Sequence, residues 1–201
     1  MMKQFALICM ILTICPAVVN AAISYGTPAP PAPSPLFGTW IDFDDQPTGT
    51  PVLWDDYASV GVASITELTG TGAAFARYSG TQSQPNYIGT GSRYGWDGLI
   101  RIDLALPASM IGIGIADSSG PDYLSVFNAD GNLLESYLVT QGSNVYPIIT
   151  RPTYDISRIE ILGDFFAVDD LQFNAIPAPG AIVLGTLGVG LVGWLRRRRS
   201  L

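Results

Sequence analysis

Carboxylates are the side chains of this sequence with the widest choice of chemistry. All 17 acidic residues lie between Asp42 and Asp170, and the chain has no histidine. The lysine and both cysteines lie within the first 15 residues. Ser-His-Asp, Cys-His and Schiff-base catalysis, and zinc held by histidine, are therefore excluded for the remainder of the chain. Glycosidic hydrolysis by paired carboxylates and oxygen-ligated metal sites remain open.

Acidic residues mark the first and last strands expected in the chain. The segment Phe166-Ala-Val-Asp-Asp-Leu-Gln-Phe173 places two carboxylates among apolar neighbours, and the opening strand ends in Asp42-Phe-Asp-Asp45. A buried carboxylate requires a partner. If the two strands are neighbours, these oxygens converge in the manner that Ca²⁺ requires. The alternative is that they accept N–H bonds within turns.

Aromatic side chains form a second kind of candidate site, because rings in loops can stack on sugars while nearby polar groups bind hydroxyls. The densest cluster is Arg93-Tyr-Gly-Trp-Asp97. We predict Tyr94, Trp96 and Asp97 as ligand-binding residues. The alternative is that each ring covers an edge of the fold. The aromatic residues in loop-like segments are Trp54, Tyr57, Tyr78, Tyr87, Tyr94 and Trp96.

A glycan hydrolase or lyase is the catalytic alternative to a binding protein. The chain has three glutamates, at positions 67, 135 and 160, and Asp55, Asp56 and Asp97 lie near aromatic residues. No spacing selects one pair of carboxylates. Two carboxylates facing each other across an aromatic-lined groove would distinguish such an enzyme.

The elements that must position these residues are short strands. From Gly38 onward, apolar or alternating runs are divided by Gly, Pro, Asn and Asp, and no run has sustained helical periodicity. This pattern predicts an all-β fold, an antiparallel β-sandwich. The predicted strands are Thr39–Phe43, Gly61–Glu67, Ala73–Tyr78, Leu99–Leu104, Met110–Ala116, Tyr123–Phe127, Leu133–Val139, Val145–Ile149, Ile156–Leu162 and Phe165–Phe173.

Two hairpins are predicted among these strands. Asp130-Gly131 stands between two apolar runs, which is a strong signal for a tight turn. Gly163-Asp164 separates the last two predicted strands and indicates a second hairpin that closes the domain.

Three segments of the chain resemble the jelly-roll domains often carried by exported bacterial proteins. They are Phe43-Asp-Asp-Gln-Pro-Thr-Gly-Thr50, Phe127-Asn-Ala-Asp-Gly131 and the closing Phe166–Phe173. Such domains are similar to carbohydrate-binding modules and to the galactose-binding-like fold. The resemblance covers roughly Ile41 to Phe173. It implies a jelly-roll sandwich, a structural Ca²⁺ near the termini with Asp44 and Asp169 as ligands, and a polysaccharide partner.

The N-terminus has the pattern of a secretory signal peptide. A basic start at Lys3 precedes an apolar stretch, and Val19-Asn-Ala21 is a cleavage pattern, so we expect cleavage after Ala21, with Ala22 as the alternative. A lipoprotein signal ending in Cys15 fits less well. Residues 1–21 are thus the signal peptide, and residues 22–37 are predicted as a Pro-rich, polyproline-like linker. Both cysteines are lost with the signal, so no disulfide is expected.

The C-terminal segment, residues 175–201, has the pattern of a transmembrane sorting signal. Its 20 uncharged residues from Ile176 to Leu195 are long enough to span a bilayer as a helix, and Arg196, Arg197, Arg198 and Arg199 form a membrane stop. The layout resembles the PEP-CTERM family, with the motif at Pro177, Ala178, Pro179 and Gly180 and alanine in place of the glutamate. The resemblance implies inner-membrane retention, processing by an exosortase, and delivery to the cell surface or extracellular matrix.

The intervening domain, residues 38–174, is strongly acidic. Five arginines against 17 acidic residues give it a net charge of −12, which disfavours nucleic acid. The leading hypothesis is an exported, non-catalytic surface or matrix protein that binds polysaccharide. A glycan hydrolase or lyase and a purely structural surface protein are the alternatives.

Overall fold

A computed structural model describes residues 21–27, 33–68, 75–79, 85–90, 98–117, 122–139, 144–164 and 166–176. Apart from one 3₁₀ turn at Ala58–Val60, their regular structure is all strand. The strands are β1 (Ala22–Gly26), β2 (Thr39–Ile41), β3 (Val62–Glu67), β4 (Phe75–Ser79), β5 (Asn86–Thr90), β6 (Gly98–Asp117), β7 (Asp122–Phe127), β8 (Leu133–Val139), β9 (Asn144–Thr150), β10 (Ile156–Gly163) and β11 (Phe166–Ala175).

The two targeting segments predicted from the sequence fall almost wholly outside the described residues. Of the signal peptide only Ala21 is described, and of the C-terminal segment only Ala175 and Ile176. Within the described part of the chain, no helix has the length and apolar character needed to cross a membrane.

Strand β6 organises the fold because it is long enough to belong to two sheet halves. Its first part, from Gly98 to Leu104, pairs with β3 on one edge and β10 on the other. Its second part, from Ala108 to Asp117, pairs with β9 and β11. Pro107 lies between the two parts, and a proline has no N–H for the ladder. The sequence predicted two separate strands here, whereas the structure has one continuous strand. Its register with β10 shifts next to Pro107, and we call this position the bend of β6.

All strand pairs are antiparallel, and together they form one curled sheet. The first half runs β3-β6-β10-β7-β8. The second half runs β1-β9-β6-β11, and the far edge of β11 pairs with both β5 and β2, β5 carrying β4. The all-β antiparallel prediction is confirmed. The first and last predicted strands, β2 and β11, are neighbours, so the condition set for their acidic residues to converge is met.

One apolar core lies between the two halves. Ile100, Ile102 and Leu104 alternate with less buried residues along the first part of β6. Ile111, Ile113 and Ile115 alternate with glycines along the second part, where both faces are buried. Burying such a side chain contributes about 1.5–3 kcal/mol. The same core includes Phe43, Leu124, Val126, Ile149, Ile159, Ile161, Phe166, Val168, Leu171 and Phe173. This common core makes the fold sandwich-like.

The two predicted hairpins have different outcomes. β7 and β8 form the first, and its turn is closed by the Gly131 N–H, which donates to the Asn128 carbonyl at 3.0 Å with Gly131 at φ 81°. The prediction of a closing hairpin between β10 and β11 is wrong. Gly163 at the end of β10 pairs with Gly98, whereas Phe166 at the start of β11 pairs with Asp117, at the opposite end of β6. The chain therefore crosses from one sheet half to the other at this point.

Two strands were not predicted from the sequence. β5 lies in a segment interrupted by Gly and Pro, and β1 occupies the first residues of the expected linker. β1 pairs along its whole length with β9, from Ala22 opposite Thr150 to Gly26 opposite Tyr146. The proline-rich composition begins only after Thr27, so nothing prevents residues 22–26 from donating ladder bonds.

Candidate binding face

The outer face of the first sheet half carries a row of apolar side chains that crosses five strands. Tyr123, Leu138, Leu162 and Leu68 are each between 42% and 51% exposed, and Leu99 is half-buried. Leu99 pairs with Leu162, Leu162 with Tyr123, and Tyr123 with Leu138. The Leu68 N–H donates to the Leu99 carbonyl at 3.0 Å, which extends the row to the end of β3. We call these five residues the apolar row.

The next row on the same face is polar. Glu160 of β10 forms an ion pair with Arg101 of β6 at 2.8 Å. In the same row, the hydroxyls of Ser125 and Ser136 lie 2.9 Å apart. These groups lie opposite the buried positions of their strands, so they face solvent.

A third row continues the polar surface. Arg158 forms an ion pair with Asp103 at 2.8 Å, and the Ser64 hydroxyl donates to Asp103 at 3.0 Å. Exposed ion pairs of this kind contribute roughly 0–1 kcal/mol each to stability. Their main effect here is on charge, because two arginines and two carboxylates cancel on this face while the domain as a whole carries −12.

The predicted binding residues Tyr94, Trp96 and Asp97 lie outside the described residues. They directly precede Gly98, the first residue of β6, and Leu99 of the apolar row follows it. Their role stays a prediction.

The other aromatic candidates divide between core and surface. Tyr57 and Tyr87 are buried, at 7% and 5% exposure, so they are core residues and not sugar platforms. Tyr57 packs edge-on against Phe43, with ring centroids 5.2 Å apart, and its hydroxyl donates to Asp45 at 2.7 Å. Trp54 is 63% exposed and stays available. Tyr78 lies in β4, and its side chain is outside the description.

The first predicted calcium ligand, Asp44, lies in the turn after β2. Its carboxylate accepts the backbone N–H of Asn86 at 2.7 Å. Asn86 is buried, and its side chain accepts the Thr48 hydroxyl at 2.6 Å and donates to the Gln46 carbonyl at 2.9 Å. Burial raises the pKa of Asp44 above its ordinary value, and the hydrogen bond from Asn86 opposes that shift. Asp44 therefore ties the turn to the start of β5.

The second predicted ligand, Asp169, lies in the middle of β11 and is buried. Its carboxylate accepts the backbone N–H of Asp170 at 2.8 Å. Asp170 has φ 49°, a left-handed conformation, and marks a register shift between β11 and β6. Its carboxylate accepts the indole N–H of Trp40 at 2.9 Å. The kink thus directs this pair of carboxylates toward backbone and indole donors.

A buried hydrogen-bond network adjoins this kink. The Tyr146 hydroxyl donates to the Asp170 carbonyl at 2.9 Å and accepts the Gln172 amide at 2.6 Å. The other end of the Gln172 amide accepts the Phe37 N–H at 2.7 Å. Burial raises the pKa of Tyr146 far above its ordinary value. The network fastens the segment before β2 to β11.

The structure connects both predicted metal ligands with the β5-β11 edge, because Asp44 bonds to β5 and Val168 of β11 pairs with Ile88 of β5. Both carboxylates accept backbone N–H groups, as the turn alternative expects. Across the described ranges, no group of three or more His, Cys, Asp or Glu side chains is arranged to hold a metal ion. Calcium therefore stays a hypothesis.

Several described carboxylates have structural partners. Glu135 and Asp155 both bind Arg151, at 3.0 and 2.7 Å, and Asp56 accepts the Leu53 N–H at 3.0 Å. Two cavities of about 300 and 280 Å³ are lined by described residues, and Asp103 is the only carboxylate among the residues lining these two. Neither has the paired carboxylates of a glycosidase.

Sequence reasoning missed the apolar row. Four of its members stand at outward positions of predicted strands, and Leu68 directly follows a fifth. Leu162 is an apolar residue at a position where the alternation of Ile159 and Ile161 leads one to expect a polar one. An apolar residue at a solvent-facing position was the available signal. Only the strand pairing shows that five such residues are neighbours.

Comparison with known proteins gives no family for this chain. No family model matches it, and no curated protein is similar to it. Among solved structures, it is similar to the enzymatically active domain of tailspike protein 4 of bacteriophage CBA120, with 12% identity and a TM-score of 0.39. The match covers 56% of this chain and 19% of the tailspike chain. A likeness this low supports no statement about activity.

Proposed function

We propose that the chain is an exported, non-catalytic surface or matrix protein whose β-sandwich binds a neutral polysaccharide through the outer face of β3, β6, β10, β7 and β8. The observation that carries this proposal is the apolar row beside ion-paired polar rows. Four strand spacings of about 4.8 Å make the row about 19 Å long, so it suits an extended polymer better than a small molecule.

The chemistry of this face matches that of a sugar. The Tyr123 ring and the leucines offer apolar surface to the C–H faces of pyranose rings, and the neighbouring serines, arginines and carboxylates can exchange hydrogen bonds with hydroxyls. A neutral chain carries no charge for the acidic domain to repel, whereas the net charge of −12 disfavours polyanions. Trp96 and its neighbours would add stacking surface at the same end of β6.

Export and tethering rest on the two ends of the sequence. The proposal includes cleavage after Ala21 and export of the domain, with residues 176–195 retaining it in the inner membrane. An exosortase-type enzyme then processes the PEP-CTERM-like motif. The jelly-roll likeness and a structural Ca²⁺ at Asp44 and Asp169 belong to the same proposal. The absence of histidine from the whole chain and the ion pairs that Glu135 and Asp155 form with Arg151 favour binding over catalysis.

Tyr123→Ala is the direct test of the binding face. It should lower retention of the protein on neutral polysaccharides, measured by affinity electrophoresis or a pull-down on insoluble glycans. Tyr154→Ala is a matched control, because Tyr154 is 43% exposed against 42% for Tyr123 and lies outside the strands. Equal retention of both variants on a glycan that binds the native protein would exclude this face. Release of new reducing ends from that glycan would instead support the hydrolase.

A further inference from the structure

The C-terminal end of the described domain is fixed at the bend of β6. Ala175, the last residue of β11, pairs with Ala108. The next residue, Ile176, donates its N–H to the Pro107 carbonyl at 3.2 Å. Ile176 is also the first residue of the uncharged run that we predict to cross the membrane. No polar linker therefore separates the folded strand from that run.

The N-terminal end reaches the same bend. Ala22, the first residue after the predicted cleavage position, pairs with Thr150 of β9, and Thr150 pairs with Met110 of β6. Two strand spacings place Ala22 about 10 Å from Met110. Before cleavage, both predicted membrane segments would therefore join the domain on one side.

The cavity beside this exit is lined by uncharged residues. A cavity of about 300 Å³ adjoins Ile176, and none of its lining residues is ionisable. Val60, Leu106 and Ile176 are exposed beside it, at 43%, 38% and 38%. The adjoining cavity, which shares Ala105, carries the ion pair of Asp103 and Arg158. We call the residues of the uncharged cavity the exit surface: Gly38, Thr39, Val60, Gly61, Ala105, Leu106, Phe173, Asn174, Ala175 and Ile176.

Chain length limits how far this surface can stand from a membrane. The predicted membrane run begins at Ile176 itself, and full extension of its motif from Pro177 to Gly180 would add no more than about 14 Å, at about 3.6 Å for each of four residues. The headgroup region is about 5–8 Å deep on each side, given a hydrocarbon core of about 30 Å in a bilayer of about 40–45 Å. Even with the motif fully extended, the exit surface thus stays within about 10 Å of the headgroups.

We propose that the exit surface is a membrane-contact face, with Leu106, Val60 and Ile176 inserted into the interfacial region of the bilayer that holds the tail. This inference rests on the proposed C-terminal anchor. The occupant is a lipid surface because the anchor leaves from this point and because the surface is uncharged in a domain of −12. Apolar side chains bind such an interface, and acidic ones would be repelled by anionic lipid.

The test uses the full chain with one cysteine. In a Cys9→Ser, Cys15→Ser background, Leu106→Cys carries an environment-sensitive dye, and the labelled chain is reconstituted into phosphatidylcholine vesicles with or without nitroxide-labelled lipid. Leu162→Cys is the control, because Leu162 is exposed and pairs with Leu99, seven residues or about 23 Å along β6 from Leu106. The dye at position 106 should lose most of its emission to the nitroxide lipid, and the dye at 162 should keep it.

Each other outcome overturns the membrane-contact face. Quenching that is equal at both positions means that the domain does not rest on the exit surface. A dye at position 106 that is shielded from water but not quenched points to a second copy of the chain in place of lipid. Alkaline extraction separates the two proposals. A chain that stays in the vesicles without quenching refutes only the contact face, and a chain that is extracted refutes the anchor as well.

Discussion

Tyr146→Phe removes only one oxygen atom, but it should destabilise the domain strongly. The Tyr146 hydroxyl is in a fully buried side chain and has two partners, the Asp170 carbonyl at 2.9 Å and the Gln172 amide at 2.6 Å. Each buried polar group that loses its partner costs about 1–3 kcal/mol. Gln172 keeps a weak contact with the Pro35 carbonyl at 3.4 Å, so we expect a loss of about 2–4 kcal/mol in the free energy of unfolding.

Urea denaturation of residues 22–176 measures this loss, because that segment contains every described strand and, of the two predicted targeting segments, only Ala175 and Ile176. Tyr123→Phe makes the same chemical change at an exposed position and should stay within about 0.5 kcal/mol of the native protein. If Tyr146→Phe is no less stable than Tyr123→Phe, the buried network does not hold β11 and the reasoning fails.

Three further predictions concern the metal, the pH dependence and the tail. If Ca²⁺ binds only the native state, a hundredfold excess over Kd should stabilise residues 22–176 by about 2.7 kcal/mol, and Asp44→Asn or Asp169→Asn should remove the gain; identical melting in calcium and in chelator would exclude the site. The hydrogen bond from Arg151 holds the pKa of Asp155 below its ordinary value. The contribution of this pair to the free energy of unfolding is therefore fully present above the unfolded pKa of about 3.9, and it is lost as the pH falls through the folded pKa. The destabilisation caused by Asp155→Asn should therefore shrink below about pH 4 in acid-titrated melting curves, and a constant difference from pH 7 to pH 3 would contradict it. Deletion of residues 177–201 should move the protein from the membrane to the soluble fraction, and unchanged fractionation would count against the anchor.

Local pattern was enough to find most strands but not their partners. Strand Leu133–Val139 and the Asp130-Gly131 turn follow from a short apolar run and from turn chemistry, both of which depend on near neighbours in sequence. The pairing of β10 and β11 with opposite ends of β6 depends on contacts between distant residues. No short segment contains that information, so adjacency in sequence was mistaken for pairing in space.

The candidate sites were predictable to the same extent. The apolar neighbours of Asp169 and Asp170 in the sequence predicted that both carboxylates lie among buried residues, and both are buried. The left-handed kink at Asp170, which directs both carboxylates toward donors in the protein, arises from the mismatch between β11 and β6 and cannot be read from one strand. Tyr57 and Tyr87 stand in segments with a loop-like composition, yet the sheet covers them. Exposure of a ring depends on what packs over it, which composition does not specify.

Strand β6 connects the candidate binding face to the exit surface with no loop between them. Leu99 of the apolar row and Leu106 of the exit surface belong to one continuous strand, about 23 Å apart, so the two surfaces cannot reorient independently. A long polar linker would let the domain tumble above the membrane, but Ile176 is bonded to Pro107 at the bend itself. With the exit surface on the bilayer, the apolar row is held at the other end of this strand segment, away from the lipid. A polymer could then reach the binding face while the domain is still anchored.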